Sequence, residues 1–415
     1  MIFLGKRAVL LLTIFLLILI GSAQAQSKNS FYLVFTGETN GFLEPCGCSD
    51  HPLGGLARRF TTIANLGGGK IPKLIIDSGD LVADYGEQDR IKLKFLLQAM
   101  HHIGYELIHL GERDHAWSGD FLQKELFRNG LVGLDSKTAP LLVTRKAGKH
   151  KILIGALSRA ADYSSLLAMV KASANHGTFK VLMFHGSWQD ARALALRNGP
   201  FNIIIAGHSQ VDPPEPEQIG KTLVINYGTQ GKYLGIAKIA VQSGGFTIAH
   251  EVRPIESTVA PAPVITQLLT GYDQELEDEQ LVLKYANQRP LSPGRRYMGG
   301  DKCIECHDKQ HTAWQASHHR NGYKTLVAVN KQHDPECIAC HTVGYGDISG
   351  FSVAGKRPDL TGVGCENCHG PGYPHIKKPK KYPLVVDKKV CASNCHNMDH
   401  SPKFNFDHYW QKIKH

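Results

Sequence analysis

Beyond its first 25 residues this 415-residue sequence has no apolar run long enough to cross a membrane, because a spanning helix needs about 20 consecutive apolar residues. Cysteine is absent from positions 49 to 302. Two stand at Cys46 and Cys48, and the other eight lie between Cys303 and Cys395. Such clustering argues against a disulfide framework spread along an exported chain. Acidic residues are also in deficit, at 37 against 47 Lys and Arg, giving a formal charge of +10. From Gly300 onward long apolar runs are few. A segment so poor in ordinary core residues needs something else to fold around.

The long apolar run that is present lies at the start. Lys6 and Arg7 precede Ala8–Ile20, followed by Gly21-Ser22-Ala23-Gln24-Ala25. A basic segment, an apolar segment and an A-x-A site make residues 1–25 a secretory signal, with a retained N-terminal anchor as the alternative. No cysteine follows the cleavage site, which argues against lipidation there. The expected mature protein is periplasmic or otherwise exported, without a transmembrane segment. Loss of Lys6 and Arg7 lowers the charge from +10 to +8. The basic clusters at Lys377, Lys378, Lys380 and Lys381, then Lys388 and Lys389, are read as a face that steers an acidic redox partner or as a solvated loop, not as a nucleic-acid site.

Residues 26–258 read as an α/β domain. Strand-like runs fall at Tyr32–Phe35, Lys73–Ile76, Leu107–Leu110, Lys151–Ala156, Lys180–Phe184, Asn202–Ala206 and Thr222–Asn226, with helical stretches at Gln88–His102 and Gln189–Arg197. Residues 259–299 read as a charged helical connector ending in a Pro/Gly-containing linker. Residues 300–415 hold 12 of the 22 histidines and 8 of the 10 cysteines.

Three C-x-x-C-H motifs occur: Cys303/Cys306/His307, Cys337/Cys340/His341 and Cys365/Cys368/His369. A fourth, Cys391/Cys395/His396, has one extra residue between its cysteines. Paired thiols form thioethers to porphyrin vinyl groups, and the following imidazole binds the iron. A single C-x-x-C also suits zinc or a redox pair. Repetition with histidine behind an export signal points to four haem c groups. Eight histidines are then spare: His311, His318, His319, His333, His375, His400, His408 and His415. At most four find an iron, and His318, His375 and His415 are the favoured distal ligands.

Residues 299–415 resemble the tetrahaem cytochrome c-552/c-554 family. The resemblance is carried by Trp314-x-x-Ser317-His318, by His341-Thr-Val-Gly344-Tyr345, by Gly362-Val-Gly-Cys365-Glu-Asn-Cys368-His369-Gly370-Pro371-Gly372 with His375, and by Ser401-Pro402-x-Phe404. It implies a mostly α and irregular multihaem domain with closely packed haems and mostly bis-histidine ligation. The longer fourth motif departs from the pattern.

The strand-end loops of the first domain carry Asp77-Ser-Gly79-Asp80, Gly111-Glu112-Arg113-Asp114, His185 and Gly207-His208-Ser209-Gln210. Aspartate, histidine and amide oxygen converging from strand ends are how hydrolases build two-metal sites. These residues resemble the calcineurin-like metallophosphoesterases, in particular the periplasmic 5'-nucleotidases, which implies an α/β sandwich. The family's opening Asp-x-His stands here as Glu38-Thr-Asn40, and its Gly-Asn-His-Glu as Gly111-Glu112-Arg113-Asp114. One divalent ion on Asp80, Glu112, His185 and His208, with Gln210 also retained, is one expectation; an inherited fold without metal is the other. Glu44-Pro45-Cys46-Gly47-Cys48-Ser49 adds two thiols, a redox pair, soft-metal ligands or a structural disulfide. With Gly54-Gly55-Leu56-Ala57-Arg58-Arg59 this loop resembles fusion proteins of the ExtKL type, in which a 5'-nucleotidase-like domain precedes a multihaem cytochrome. In such relatives a selenocysteine can occur near the cysteine pair; here Ser49 follows it.

The chain therefore reads as an exported electron carrier that meets other redox proteins or cytochromes, with a degenerate 5'-nucleotidase-like domain. The rival readings are an oxidoreductase with one open iron acting on a small nitrogen or sulfur compound, a surviving phosphoesterase with a redox domain, and a structural subunit of a larger cytochrome conduit.

Overall fold

A computed structural model describes residues 29–45, 51–117, 120–173, 177–208, 213–387, 389–397, 400–401 and 403–415. The 1–25 segment, Cys46, Cys48, Ser209 and Gln210 lie outside these residues. Among the described residues no helix is long and apolar enough to cross a membrane. The described residues divide into two compact units, the first made of residues 29–45 and 53–268 and the second of residues 51–52 and 269–415.

The first unit contains two six-stranded sheets. One has the order β12-β11-β1-β2-β3-β4, formed by β1 (Ser30–Thr36), β2 (Lys73–Asp77), β3 (Tyr105–His109), β4 (Val132–Leu134), β11 (Tyr233–Gln242) and β12 (Gly245–Pro254). The other has the order β5-β6-β7-β8-β10-β9, formed by β5 (Leu141–Ala147), β6 (His150–Leu157), β7 (Phe179–Phe184), β8 (Ile203–Ala206), β9 (Glu217–Ile219) and β10 (Thr222–Ile225). Each sheet has four parallel strands, β1 to β4 and β6-β7-β8-β10, extended by antiparallel edges.

Alternation along the strands builds the layers. Phe31, Leu33 and Phe35 from β1 meet Ile152, Ile154, Val181, Met183, Ile203 and Ile205 in one cluster between the sheets. The residues between them, Leu153, Leu182, Ile204 and Val224, face the other way and pack under helices Tyr163–Ala172 and Trp188–Ala195. Strands buried on both faces tolerate near-continuous apolar sequence, which is why these segments read so clearly. The result is a layered α/β sandwich with its polar loops at the C-terminal strand ends, where ligands bind in such folds.

The second unit is a chain of short helices and irregular segments. Its apolar cluster is small: Val282, Ala286, Leu326, Ile338, Val343, Tyr345, Phe351 and Leu360. The segment before the first C-x-x-C-H motif is tied into it. Tyr345 donates to the Val282 carbonyl at 3.0 Å, and Arg289 pairs with Asp347 at 2.9 Å. Glu366, 4% exposed, accepts the backbone amides of Met298, Gly299 and Gly372.

Candidate haem centres and an altered metal site

In the first unit the loops after β2, β3, β7 and β8 bring Asp80, Glu112, His185 and His208 together. His185 follows β7 directly, and its Nδ1 hydrogen-bonds the Ser78 carbonyl at 3.0 Å. That contact fixes the ring and turns Nε2 toward Glu112 Oε2 at 2.6 Å. His208 Nε2 lies 3.5 Å from the same oxygen, and Asp80 Oδ2 lies 3.7 Å from His185 Nε2. Glu112, His185 and His208 each offer a ligand atom within 4.8 Å of the others. Burial pushes the His185 imidazole down, but Glu112 and Asp80 outweigh it and hold it at about 9. Glu112 is correspondingly lowered to about 2, chiefly by the His185 hydrogen bond.

The backbone around this cluster is unusual. Glu38, Asn40, Asp80 and His208 all have φ between 45° and 53°, a left-handed conformation that costs energy in non-glycine residues and concentrates at functional sites. Two imidazoles and a carboxylate oxygen, with a carbonyl orienting one ring, form a donor set suited to one divalent ion.

The neighbouring side of the same cavity is lined by Glu38, Asn40, Arg113 and Thr229. Arg113 Nη1 donates to Asn40 Oδ1 at 2.9 Å, Asn40 Nδ2 donates to Thr229 Oγ1 at 3.0 Å, and Thr229 donates to the Glu38 carbonyl at 3.1 Å. A fixed guanidinium and an engaged amide oxygen do not fit a second metal ion. Gln210, Cys46 and Cys48 lie outside the described residues.

In the second unit none of the eight motif cysteines is paired in a disulfide. The first motif closes as an α-turn, with the His307 amide donating to the Cys303 carbonyl at 2.9 Å. The fourth absorbs its extra residue by widening the turn. Cys391–Cys395 is a π-helix, and the His396 amide reaches the Cys391 carbonyl at 2.8 Å.

Three imidazole pairs then stand opposite one another. His307 and His375 have ring centroids 6.2 Å apart, His369 and His415 are 6.0 Å apart, and His319 and His396 are 6.3 Å apart. Two imidazoles sharing a metal through bonds of about 2 Å, with each bonding nitrogen about 1 Å from its ring centre, put their centroids about 6 Å apart. The spacing fits an iron between each pair. Nδ1 of His375 contacts the Tyr382 carbonyl at 2.9 Å, and Nδ1 of His415 the Ile413 carbonyl at 3.0 Å. Such contacts leave Nε2 as the ligating atom. Phe404 stacks on His396 at 4.4 Å.

An apolar cavity lies beside these rings, lined by Cys303, Ile304, Trp314, Val363, Cys365 and Ile413 among others. Its apolar walls and flanking thiols suit a porphyrin. Cys306 is exposed and stands outside this cavity, whereas its motif partner Cys303 lines it. Cys340 also lies outside the cavity. Its Sγ donates to the Asn394 carbonyl at 3.7 Å and contacts the Cys395 thiol, because the second and fourth motifs pack closely against each other.

His375 and His415 are brought opposite motif histidines, whereas the ring facing His396 belongs to His319 and not to its neighbour His318. Sequence offers no signal that separates two adjacent histidines in a tight turn. His341 directs Nδ1 to the Gly322 carbonyl at 2.7 Å, and among the described residues no second imidazole forms such a pair with it.

Residues 302–370 match the family model described as "Cytochrome c554 and c-prime". Cytochrome c-554 of Nitrosomonas europaea is 33% identical over 97 residues, which cover 20% of this chain and 41% of that protein. The C-terminal region is cytochrome c554-like. The chain spans about two fifths of that curated relative's length. The fourth motif, His375 and His415 lie beyond the residues that the family model matches.

Solved structures share the fold of the N-terminal part. A 5'-nucleotidase precursor from Thermus thermophilus aligns with TM-score 0.52 and 16% identity, covering 69% of this chain and 68% of that one. The NAD nucleotidase of Haemophilus influenzae aligns with TM-score 0.51 and 11% identity, covering 66% and 64%. The two mixed α/β sheets therefore have the 5'-nucleotidase or metallophosphoesterase fold. A 5'-nucleotidase-like part precedes a cytochrome c554-like part in one chain.

Proposed function

We propose that the protein is an exported multihaem c-type cytochrome that carries electrons through four covalently attached haems. The observation that supports this most is the set of three imidazole pairs at iron-bridging separation. Haem, once attached, supplies an iron that exchanges single electrons. The chain's own residues do the rest. Four cysteine pairs anchor, His307, His341, His369 and His396 bind from one side, and His375, His415 and His319 bind from the other. Ligation by two histidines suits electron transfer without ligand exchange. His375 and Tyr382 bracket the exposed lysines 377, 378, 380 and 381, so a basic surface flanks the first motif's distal ligand and suits an acidic redox partner. Electron paramagnetic resonance of the oxidised protein tests the reading; three low-spin signals are expected, and mostly high-spin iron would overturn it.

His341 favours a second reading for one centre. With no histidine opposite it among the described residues, that position is left for a small ligand, as in an oxidoreductase acting on a nitrogen or sulfur compound. Carbon monoxide added to the reduced protein is expected to bind one haem in four; no adduct returns the protein to a pure carrier.

Phosphoester hydrolysis is not assigned to the first unit. Asn40 and Arg113 occupy positions where a hydrolase of this fold needs metal ligation and proton transfer, and a metal pair normally shares the developing charge. Turnover of AMP by the manganese-supplemented protein is expected far below the roughly 10 per second common for enzymes; a rate near that value would restore the phosphoesterase reading.

A further inference from the structure

Behind the fourth motif the chain folds back and lays aromatic rings against the motif's own histidine. We infer that Phe404 is a positioning residue for the fourth centre: its flat face, held in turn by Tyr409, fixes the rotation of the His396 imidazole about its bond to iron. This role rests on the proposed ligation of that iron by His319 and His396.

Local hydrogen bonds bring the rings into register. The Ser401 amide donates to the Asn397 carbonyl at 2.8 Å, and the Phe404 amide to the Ser401 carbonyl at 2.9 Å. Two successive turns thus return the chain over His396. Asn405 then starts the helix Phe406–Ile413, its side chain accepting the His408 amide at 3.0 Å. Its carbonyl accepts the Tyr409 amide at 3.1 Å, which sets Tyr409 one turn into the helix. Phe404 lies 4.4 Å from the His396 ring with the planes 9° apart. Tyr409 lies 5.4 Å from Phe404 with the planes 7° apart, and Lys412 Nζ sits 4.9 Å from the Tyr409 ring centre, a cation–π contact.

Hydrogen bonding does less at this histidine than at the others. Nδ1 of His341, His375 and His415 bonds a backbone carbonyl at 2.7, 2.9 and 3.0 Å. Nδ1 of His396 meets a hydroxyl instead, Ser401 Oγ at 3.4 Å. So long a bond to a rotatable group constrains the ring plane weakly. A parallel face does it by contact, because turning the imidazole drives its edge into Phe404.

The plane matters because both axial imidazoles interact with the iron's d orbitals. Their mutual orientation sets how those orbitals split, and with it the g values of low-spin ferric haem. The His319 and His396 planes stand 48° apart, against 25° for His307 and His375. The first and fourth centres should therefore give different signals. A ring that cannot turn also keeps its orientation in both oxidation states, so less rearrangement accompanies electron transfer.

The test is paramagnetic resonance of the full oxidised holoprotein, with haem content followed by absorbance. The fourth centre's signal is the one that His319→Met changes. Phe404→Leu should shift and broaden the largest g value of that signal and leave the other low-spin signals in place. Phe404→Tyr keeps the flat face and should restore the wild-type position. Tyr409→Leu loosens Phe404 without touching His396 and should move the same signal by less. Ser401→Ala should leave it where it is. Phe406→Leu removes a ring that stacks on Trp410 rather than on a histidine, and it too should move nothing. A signal unmoved in Phe404→Leu, or in Tyr409→Leu where Phe404→Leu loses haem, overturns the positioning role. So does failure of Phe404→Tyr to restore the signal, or a shift in Ser401→Ala or Phe406→Leu as large as that in Phe404→Leu. If His319→Met changes no signal, the ligand pair itself is wrong, and the role of Phe404 falls with it by that separate route.

Discussion

Gly111 is defined by the side chain it lacks. A β-carbon there would lie 2.2 Å from Asp80 Oδ1 and 2.7 Å from His185 Nε2, so any larger residue pushes the ligand cluster apart. Gly111→Ala is expected to weaken manganese binding by roughly 10–100-fold, the range seen when ligand-orienting contacts are lost, as read by calorimetry. Arg59 is a second decisive residue. It is fully buried and donates to Tyr105 and Thr39, with the buried Asp77 carboxyl joined to the same network through Thr36. Burial raises Asp77, and Arg59 is among the groups that pull it back down. Arg59→Leu should cost about 3–5 kcal/mol in chemical denaturation, because it leaves a carboxylate buried without its cation. The adjacent histidines give a sharper contrast. His319→Met should change one low-spin signal in paramagnetic resonance, and His318→Met should leave all of them in place; the reverse result would mean that the turn places the other ring on the iron.

At the scale of elements, short turns carry what longer helices carry elsewhere. The π-turn at Cys391–Cys395 keeps a cysteine carbonyl closed onto the histidine amide despite the inserted residue, so four haems per chain are expected by intact mass after export with haem maturation machinery. Three would mean that Cys391 and Cys395 do not attach. The helix Cys365–His369 is fastened differently. Glu366 gathers the amides of Met298, Gly299 and Gly372, tying the segment ahead of the first motif to the third. Glu366→Ala strands buried donors, each worth about 1–3 kcal/mol. The second unit should therefore melt earlier, followed by loss of haem absorbance, while the ellipticity of the first unit persists.

At the scale of the molecule, the two units are stabilised by different means. The first has two broad apolar layers around its sheets, whereas the second has one small cluster, and the proposed haems would supply the apolar volume it lacks. Replacing all eight motif cysteines with alanine should leave the first unit resistant to limited proteolysis and the second digested. Intact second unit under those conditions would show that its polypeptide core suffices.

Sequence alone determined the elements whose burial is two-sided. The runs at Tyr32–Phe35, Lys73–Ile76, Lys151–Ala156 and Lys180–Phe184 fall inside observed strands, because parallel strands covered on both faces need continuous apolar residues. It did not reveal β5 and β12, whose half-exposed, mixed-polarity residues look like loop until pairing supplies their hydrogen bonds, nor β11, a largely buried strand whose apolar run is interrupted by Gly235 and Lys238. The haem motifs were equally legible, since thioether attachment requires its cysteines and histidine to be neighbours in sequence. Where each thiol points was not legible: the exposure of Cys306 and the approach of Cys340 to Asn394 depend on how the turns pack. Distal ligands carry no requirement of sequence proximity at all. His375 and His415 come from far along the chain, and His319 rather than His318 is turned toward His396 by a short 3-10 turn. Arg113 follows the same logic. Sequence showed a basic residue in place of an imidazole, but only the fold placed its guanidinium against Asn40, across a cavity from three ligand atoms. Local covalent chemistry is written in order along the chain, while coordination and charge depend on which distant loops the strands bring together.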